Sequence, residues 1–395
     1  MEKVINKEVL YIGDVGKKNT AMSIHAQNIA KIFGNLGYHT TFICDGNSCE
    51  TVIENSELFE YFYTKKYIHI PKLSTLEWLI DELTGWKYRA LVKEKVEAKK
   101  PKLILMYGYA AESWLIEYSH KNNIPLIVER VDWFEKSDRI NIFEREILQK
   151  KVDNTILKLD KRVDGVISIS TYFQRYYDRI NIPTIFIPPV FEFNNKLTIK
   201  RFEGTEKLRL IYAGSVGGSK DSILPALKVI KKINENGILV HFDLVGPSVD
   251  EIENLLNMKN LKKFGIIVHG KVTNEKAKEI IKKADYSILL RQNKRYAKAG
   301  FSTKFAESMS LGVPVICTKV GGADSFITNM KDGVLVENNS VETIEKVLYA
   351  LINTHDRDIL NMKINAYKTA IDLFNINSYS QELKEFVARL EGAYE

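Results

Sequence analysis

Short apolar runs alternate with stretches of helical periodicity along most of the chain. Residues 9–12 form a strand-length run that ends in Gly13-Asp-Val-Gly16. After it Met22, Ala26, Ile29, Phe33 and Leu36 recur at spacings of three or four, which predicts one apolar helix face. Gly37 supplies a helix stop, and residues 39–44 return as a β-branched strand. Runs at 103–106, 126–129, 165–169 and 185–187 continue the series. Strands alternating with helices predict a parallel sheet covered on both faces. Pro188-Pro189-Val190 interrupts the pattern, and residues 191–204 are polar without a period, as a linker would be. The rhythm restarts at 208–212, which ends in Ala213-Gly-Ser-Val-Gly-Gly218, followed by a helix expected over about 221–236. Further strands are predicted at 239–245, 266–269, 286–290, 313–317 and 334–336, with helices at 340–353 and 378–390. The pattern is α/β: two doubly wound, Rossmann-like units, each opening with a strand and a glycine turn. Ligands of such sheets sit beyond the carboxyl ends of the strands, and with two units the cleft between them is the expected site.

Length and composition narrow the class. At ~150 residues per domain, 395 residues suggest two to three domains. With 45% hydrophobic and 27% charged residues the chain reads as ordinary and globular. No apolar run approaches the ~20 residues of a membrane span, and Met1-Glu-Lys-Val4 lacks the build of a signal peptide. Three cysteines, Cys44, Cys49 and Cys317, form no CxxC pair, so a reducing cytoplasm is expected. Residues 64–102 hold ten basic and five acidic residues, and so carry +5 of the net +7. That clustering suits either a solvated helix face or an anionic partner, a phosphate-bearing substrate or a membrane surface. Nucleic acid is not expected, because no nucleic-acid motif accompanies the basic stretch.

The sharpest motif is Ala299-Gly-Phe-Ser-Thr-Lys-Phe-Ala-Glu307. Gly300 ends a loop, and Ser302 or Thr303 is placed to cap a helix whose first N–H groups bind anions. Lys304 in the first turn opposes the helix dipole, which an anionic ligand would explain. Glu307, one turn on, is placed to accept two hydrogen bonds from a ribose diol. The same residues also fit a capped amphipathic helix with a surface Lys304–Glu307 pair. In Tyr212-Ala-Gly-Ser-Val-Gly-Gly-Ser-Lys220, Gly214, Ser215 and Gly217 let backbone N–H groups approach a phosphate, and Lys220 adds a point charge. A plain βα turn fits that segment equally. The histidines have no metal-site spacing, and neither glycine turn matches G-x-G-x-x-G, which argues against a dinucleotide enzyme.

With Gly312-Val-Pro-Val-Ile316 following at its spacing, the 299–316 segment resembles the retaining family-4 glycosyltransferases (glycosyl transferases group 1) of GT-B fold. In that family a glutamate pair brackets seven residues. Glu307 matches the second, whereas the first falls on Ala299. Arg291 with Ser302-Thr-Lys304 is similar instead to a subgroup that builds bacterial surface polysaccharides. The Gly214–Lys220 stretch resembles the donor-diphosphate loop, and His269-Gly-Lys-Val272 the loop beside the nucleotide base. Many members place a histidine after the fourth or fifth strand of the first domain. Here the stretch is Ile127-Val-Glu-Arg-Val-Asp-Trp-Phe134, with Arg130 or Val131 in that place and Asp132 the nearest group able to meet a sugar hydroxyl. A strand-end acid that caps the next turn fits Asp132 equally.

The resemblance implies an acceptor-binding domain over 1–195, with Gly13 and Gly16 in its acceptor-side loop. It implies a donor-binding domain over 196–373 and a terminal helix over 374–395 crossing back to the first. It further implies a hexosyl-type transfer from a nucleotide-diphosphate sugar, with UDP the commonest carrier, to a glycan, lipid-linked or protein-linked acceptor. Catalytic roles fall to Asp132, Lys220 and Lys304, and donor binding to Gly214, Ser215, Gly217, Arg291, Ser302, Thr303 and Glu307. No metal and no cofactor are expected, since the leaving phosphate itself would deprotonate the acceptor hydroxyl. Two other readings stay open: a silent GT-B partner subunit, motivated by Ala299 and the absent histidine, and an epimerase acting on the sugar nucleotide. A cytoplasmic enzyme is expected, with peripheral contact to an anionic membrane through the apolar, lysine-bordered stretch at 76–90.

Overall fold

The periodic segments become thirteen strands among the described residues, arranged in two parallel sheets. The computed structural model describes residues 7–18, 20–46, 55–65, 80, 84–109, 112–138, 144–193, 199, 207–215 and 221–394. Most of the expected linker at 191–204 lies outside them, as does Cys49. Contacts divide the chain into a first unit, Met1–Val190 with Ile376–Glu395, and a second, Phe191–Asn375.

The first unit holds β1 (Lys7–Ile12), β2 (Tyr38–Cys44), β3 (Phe59–Tyr63), β4 (Leu103–Tyr107), β5 (Leu126–Arg130), β6 (Gly165–Ser168) and β7 (Thr184–Phe186). Their order is β3-β2-β1-β4-β5-β6-β7, all parallel. The continuous apolar runs reflect strands covered on both faces, with Val9, Leu10, Tyr11 and Ile12 all buried. Thr20 caps the helix Ala21–Asn35, its hydroxyl accepting from the Ser23 amide at 3.1 Å in a capping box. Ala26, Ile29 and Phe33 of that helix are buried as the spacing predicts, whereas Met22 in the first turn stays 38% exposed. Strand β3 was not foreseen. It is aromatic and stacks Tyr61 on Phe42 with centroids 4.6 Å apart.

The terminal helix Ser380–Glu391 belongs to this first unit, where Leu383, Phe386 and Leu390 join the core. Gly165 permits that packing, since a Cβ there would lie 2.6 Å from the Phe386 ring.

The second unit holds β8 (Leu208–Ala213), β9 (Val240–Val245), β10 (Ile266–Gly270), β11 (Tyr286–Leu289), β12 (Val315–Thr318) and β13 (Val334–Val336). Their order is β10-β9-β8-β11-β12-β13, again parallel. The helix expected from about residue 221 starts later, at Leu224, because Asp221 is drawn away to other partners. His355-Asp-Arg-Asp358 opens the 19-residue helix Asp356–Phe374. Its two acids sit in the first turn, where the helix dipole favours them. Among the described residues, no helix is long and apolar enough to cross a membrane.

In each sheet the order reverses beside the first strand, between β1 and β4 and between β8 and β11. Gly13 and Gly214 leave the first strands at these switch points, and Arg291 follows the partner strand β11 in the second unit. Ligands of open α/β sheets bind at such places.

Candidate functional site

The second unit gathers seven of the expected residues at its switch point. Gly214 leaves β8 with its amide on the Val245 carbonyl at 2.8 Å. Beside it Tyr212, fully buried, donates its hydroxyl to the Ser215 carbonyl at 2.8 Å. Arg291 is fixed by Thr318, whose hydroxyl accepts from the Arg291 amide and donates to its carbonyl, both at 2.9 Å. The helix Thr303–Ser310 follows, with Ser302 at its N-cap position. Ser302 does not cap it: its Oγ is buried with no hydrogen-bond partner among the described residues. By helix geometry the Thr303 amide has no intrahelical acceptor either. Gly217 and Lys220 lie outside the described residues.

An acid the sequence reading did not select ties this group together. Asp221 accepts from Arg291 Nε at 2.8 Å through Oδ1 and from Lys304 Nζ at 2.5 Å through Oδ2. Lys304 also donates to the Tyr212 hydroxyl at 3.2 Å and lies 4.8 Å above that ring. It reaches Asp221 across Gly214, where a Cβ would fall 2.2 Å from Nζ. Burial pushes the Asp221 carboxyl up, yet Lys304 and Arg291 outweigh it and hold the group below the ordinary carboxylate range.

Two features leave this site open to a ligand. Arg291 uses only Nε on Asp221, and its other guanidinium nitrogens have no side-chain partner among the described residues. The Glu307 carboxylate has no hydrogen bond or ion pair among the described residues, and burial pushes it above the ordinary range against a weaker pull from Lys278. A pocket lined by Arg291, Gly300, Phe301, Ser302, Thr318 and Gly321 adjoins the helix start. Ala299, where the family has its first glutamate, is fully buried. Cys317 on the same wall is an inert thiol, pushed up to about 12 by burial. At the sheet edge, His241 and His269 share Asp243, with His269 Nε2 2.7 Å from its Oδ1.

In the first unit the expected residues line the carboxyl ends of β1, β4 and β5. Gly13 is required by close approach, since a Cβ would lie 2.9 Å from both Cβ and the carbonyl oxygen of Tyr107. Gly16 is required likewise, against Cys44 and Tyr63, and its carbonyl accepts from the Tyr63 hydroxyl at 3.2 Å. The Asp132 carbonyl accepts from Tyr109 at 2.6 Å, and the next residue, Trp133, is buried with its indole N–H on Asp153 at 2.8 Å.

Arg130, one of two residues in the place of the family's histidine, is enclosed by the protein itself. It is fully buried, donating to Asp160, to Glu112 at 2.6 Å and to the Gly108 carbonyl at 2.8 Å, with Tyr109 against its guanidinium. His25 sits in the second turn of the helix capped by Thr20, buried, with Nε2 3.2 Å from Glu129.

Part of the basic stretch is engaged within the protein where it is described. Lys87 pairs with Asp45 at 2.7 Å, Arg89 lies 5.5 Å from the Trp114 ring, and Lys95 lies 3.5 Å above Phe62 and pairs with Glu94. Trp86 is 46% exposed, while Leu76, Leu79, Leu83 and Lys66 lie outside the described residues. One group of metal-ligating type, Glu8, His39 and Glu60 on β1, β2 and β3, has ligand atoms within 4.8 Å of one another, with Lys99 2.6 Å from Glu60.

Comparison with known proteins agrees with this architecture. Residues 207–354 match the family described as glycosyl transferases group 1. The chain is 28% identical over 253 residues to an uncharacterized glycosyltransferase, MJ1069, of Methanocaldococcus jannaschii. That match takes in 60% of this chain and spans 62% of the length of the relative. Among solved structures, the sucrose-phosphate synthase of Thermosynechococcus elongatus superposes with a TM-score of 0.75 at 14% identity, over 98% of this chain and all of that one. Anabaena Alr3699/HepE in complex with UDP-glucose gives 0.66 at 14% identity, over 97% of this chain and 100% of that one. Residues 207–354 are thus similar to the glycosyl transferases of group 1, and the two units have the GT-B fold.

Proposed function

We propose that the chain is a retaining glycosyltransferase that moves a hexose from a nucleoside-diphosphate donor to a glycan, lipid-linked or protein-linked acceptor. The observation that carries the reading is the Glu307 carboxylate, without a hydrogen bond or ion pair among the described residues, one turn beyond a helix start that holds Lys304, Ser302 and Thr303 beside Arg291. Glu307 would take the ribose diol. Arg291, Lys304 and the Thr303 amide would take the diphosphate, joined by Lys220 and the Gly214–Gly217 backbone. As the sugar–phosphate bond breaks, negative charge grows on the leaving diphosphate, and fixed cations stabilise it more than the ground state. Charge compensation of this kind assigns no role to a metal. Uridine is the proposed base, in keeping with the UDP-glucose complex of a protein of the same fold.

On the acceptor side Asp132 would contact a sugar hydroxyl and the Gly13–Gly16 loop would flank the acceptor. Retention of configuration would follow from the leaving phosphate taking the acceptor proton on the same face. The similarity of Arg291 and Ser302–Lys304 to surface-polysaccharide transferases supports an acceptor in glycan assembly, and a lipid-linked one would bring contact with an anionic membrane face. The test is release of nucleoside diphosphate from a panel of sugar nucleotides. Release that depends on a glycan acceptor supports transfer, turnover with donor alone supports an epimerase, and donor binding without turnover supports a silent partner subunit.

A further inference from the structure

Asp221 lies beneath the two cations. Its side chain is 4% exposed, against 15% for Arg291 and 27% for Lys304. Each carboxylate oxygen is committed to a different cation, and Tyr212 stands 3.4 Å from Oδ2. Both cations therefore hold the acid with an inner donor and keep part of their surface outward. The three groups sum to +1, which a diphosphate would overcompensate.

We propose that Asp221 is the internal counter-ion of the diphosphate site. It holds Arg291 and Lys304 in position while the site is empty, and it competes with a diphosphate for both, so it sets how readily the spent nucleoside diphosphate leaves. The inference rests on the donor reading above. A carboxylate that only oriented the cations would raise affinity, because ordered donors lose less freedom on binding. One that also competes for their charge lowers affinity, since like charges at close range repel in a site of reduced dielectric. The two roles predict opposite signs for the same substitution. Release of product limits many transferase-like cycles that depend on loop or site reopening, so weaker retention favours turnover.

The experiment is calorimetric titration of the full chain with UDP and with inorganic pyrophosphate. Asp221→Asn should bind both about tenfold more tightly than the natural chain, with steeper dependence on salt. In steady state the donor KM and kcat should fall together. Asp221→Glu, which keeps the charge, should keep the natural affinity. Should Asp221→Asn fail to fold, Asp221→Ser carries the same prediction. Equal or weaker binding by a folded, uncharged variant overturns the counter-ion role and leaves Asp221 as an orienting group. Failure of the natural chain to bind either probe overturns the donor reading, and the counter-ion with it.

Discussion

The carboxyl edges of the two sheets use the same topology and treat their cations in opposite ways. In the first unit one guanidinium, Arg130, is fully buried between two carboxylates, Glu112 and Asp160. In the second unit two cations, Arg291 and Lys304, share one carboxylate and remain partly exposed. An arginine outnumbered by acids and cut off from water is already satisfied, and it braces the strand ends. Cations that share one acid and stay partly exposed are placed to meet an anion. The difference teaches that a basic residue after a strand is not a ligand by position alone; the ratio of charges and the access to solvent decide.

The largest effect expected from breaking this comparison is on the first unit. Arg130→Met strands the buried Asp160 carboxylate, and removing one partner of a buried ion pair costs about 3–5 kcal/mol. Equilibrium urea unfolding should show that loss, while a change below about 1 kcal/mol would mean that Arg130 is not the brace described.

A smaller effect is expected in the second unit. Glu307→Ala should weaken UDP binding by about 1.5–3 kcal/mol through loss of a charge-assisted contact, with little change in unfolding. An unchanged dissociation constant would remove Glu307 from the ribose role. Burial raises this carboxyl, so the natural chain should also lose UDP affinity on acidification earlier than an ordinary carboxylate would.

The smallest effect sharpens the contrast within the Arg130 cluster. Burial pushes Glu112 well up, whereas Asp160, also pushed up by burial, is brought below its ordinary range by Arg130. A carboxyl raised in the folded state binds its proton more tightly there than in the unfolded chain, so stability falls as pH rises from about 4.3 through the folded value. Glu112→Gln removes that loss. Relative to the natural chain its stability should rise across that window and keep the gain near neutral pH. Asp160→Asn should destabilise far more, because Asp160 is the partner held ionised. Equal losses for the two would contradict the assignment.

Much of the architecture was legible because it lies in local periodicity. The apolar runs at 9–12 and 208–212 became the switch-point strands, and the 299–316 segment became a loop, a helix and strand β12. What escaped was set by partners distant in sequence. Asp221 reads as the first turn of a helix, yet it is drawn out of the helix by Arg291 and Lys304, 70 and 83 positions away. Arg130 stood in the histidine's place on a linear alignment, but Glu112 and Asp160 enclose it from two other elements. Glu8, His39 and Glu60 come together only through the register of β1, β2 and β3, which no spacing along the chain reveals. Ser302 and Thr303 were correctly placed at a helix start, and capping geometry could not tell that the Ser302 hydroxyl has no partner among the described residues.

The central claim is that the second unit holds a diphosphate with Arg291, Lys304 and the helix start. Titration of the full chain with UDP and with UMP at low and high salt tests it most directly. The account predicts that UDP binds at least about tenfold more tightly than UMP, and that the gap narrows as salt screens the cations. Equal affinities for the two nucleotides, or a gap indifferent to salt, would contradict it.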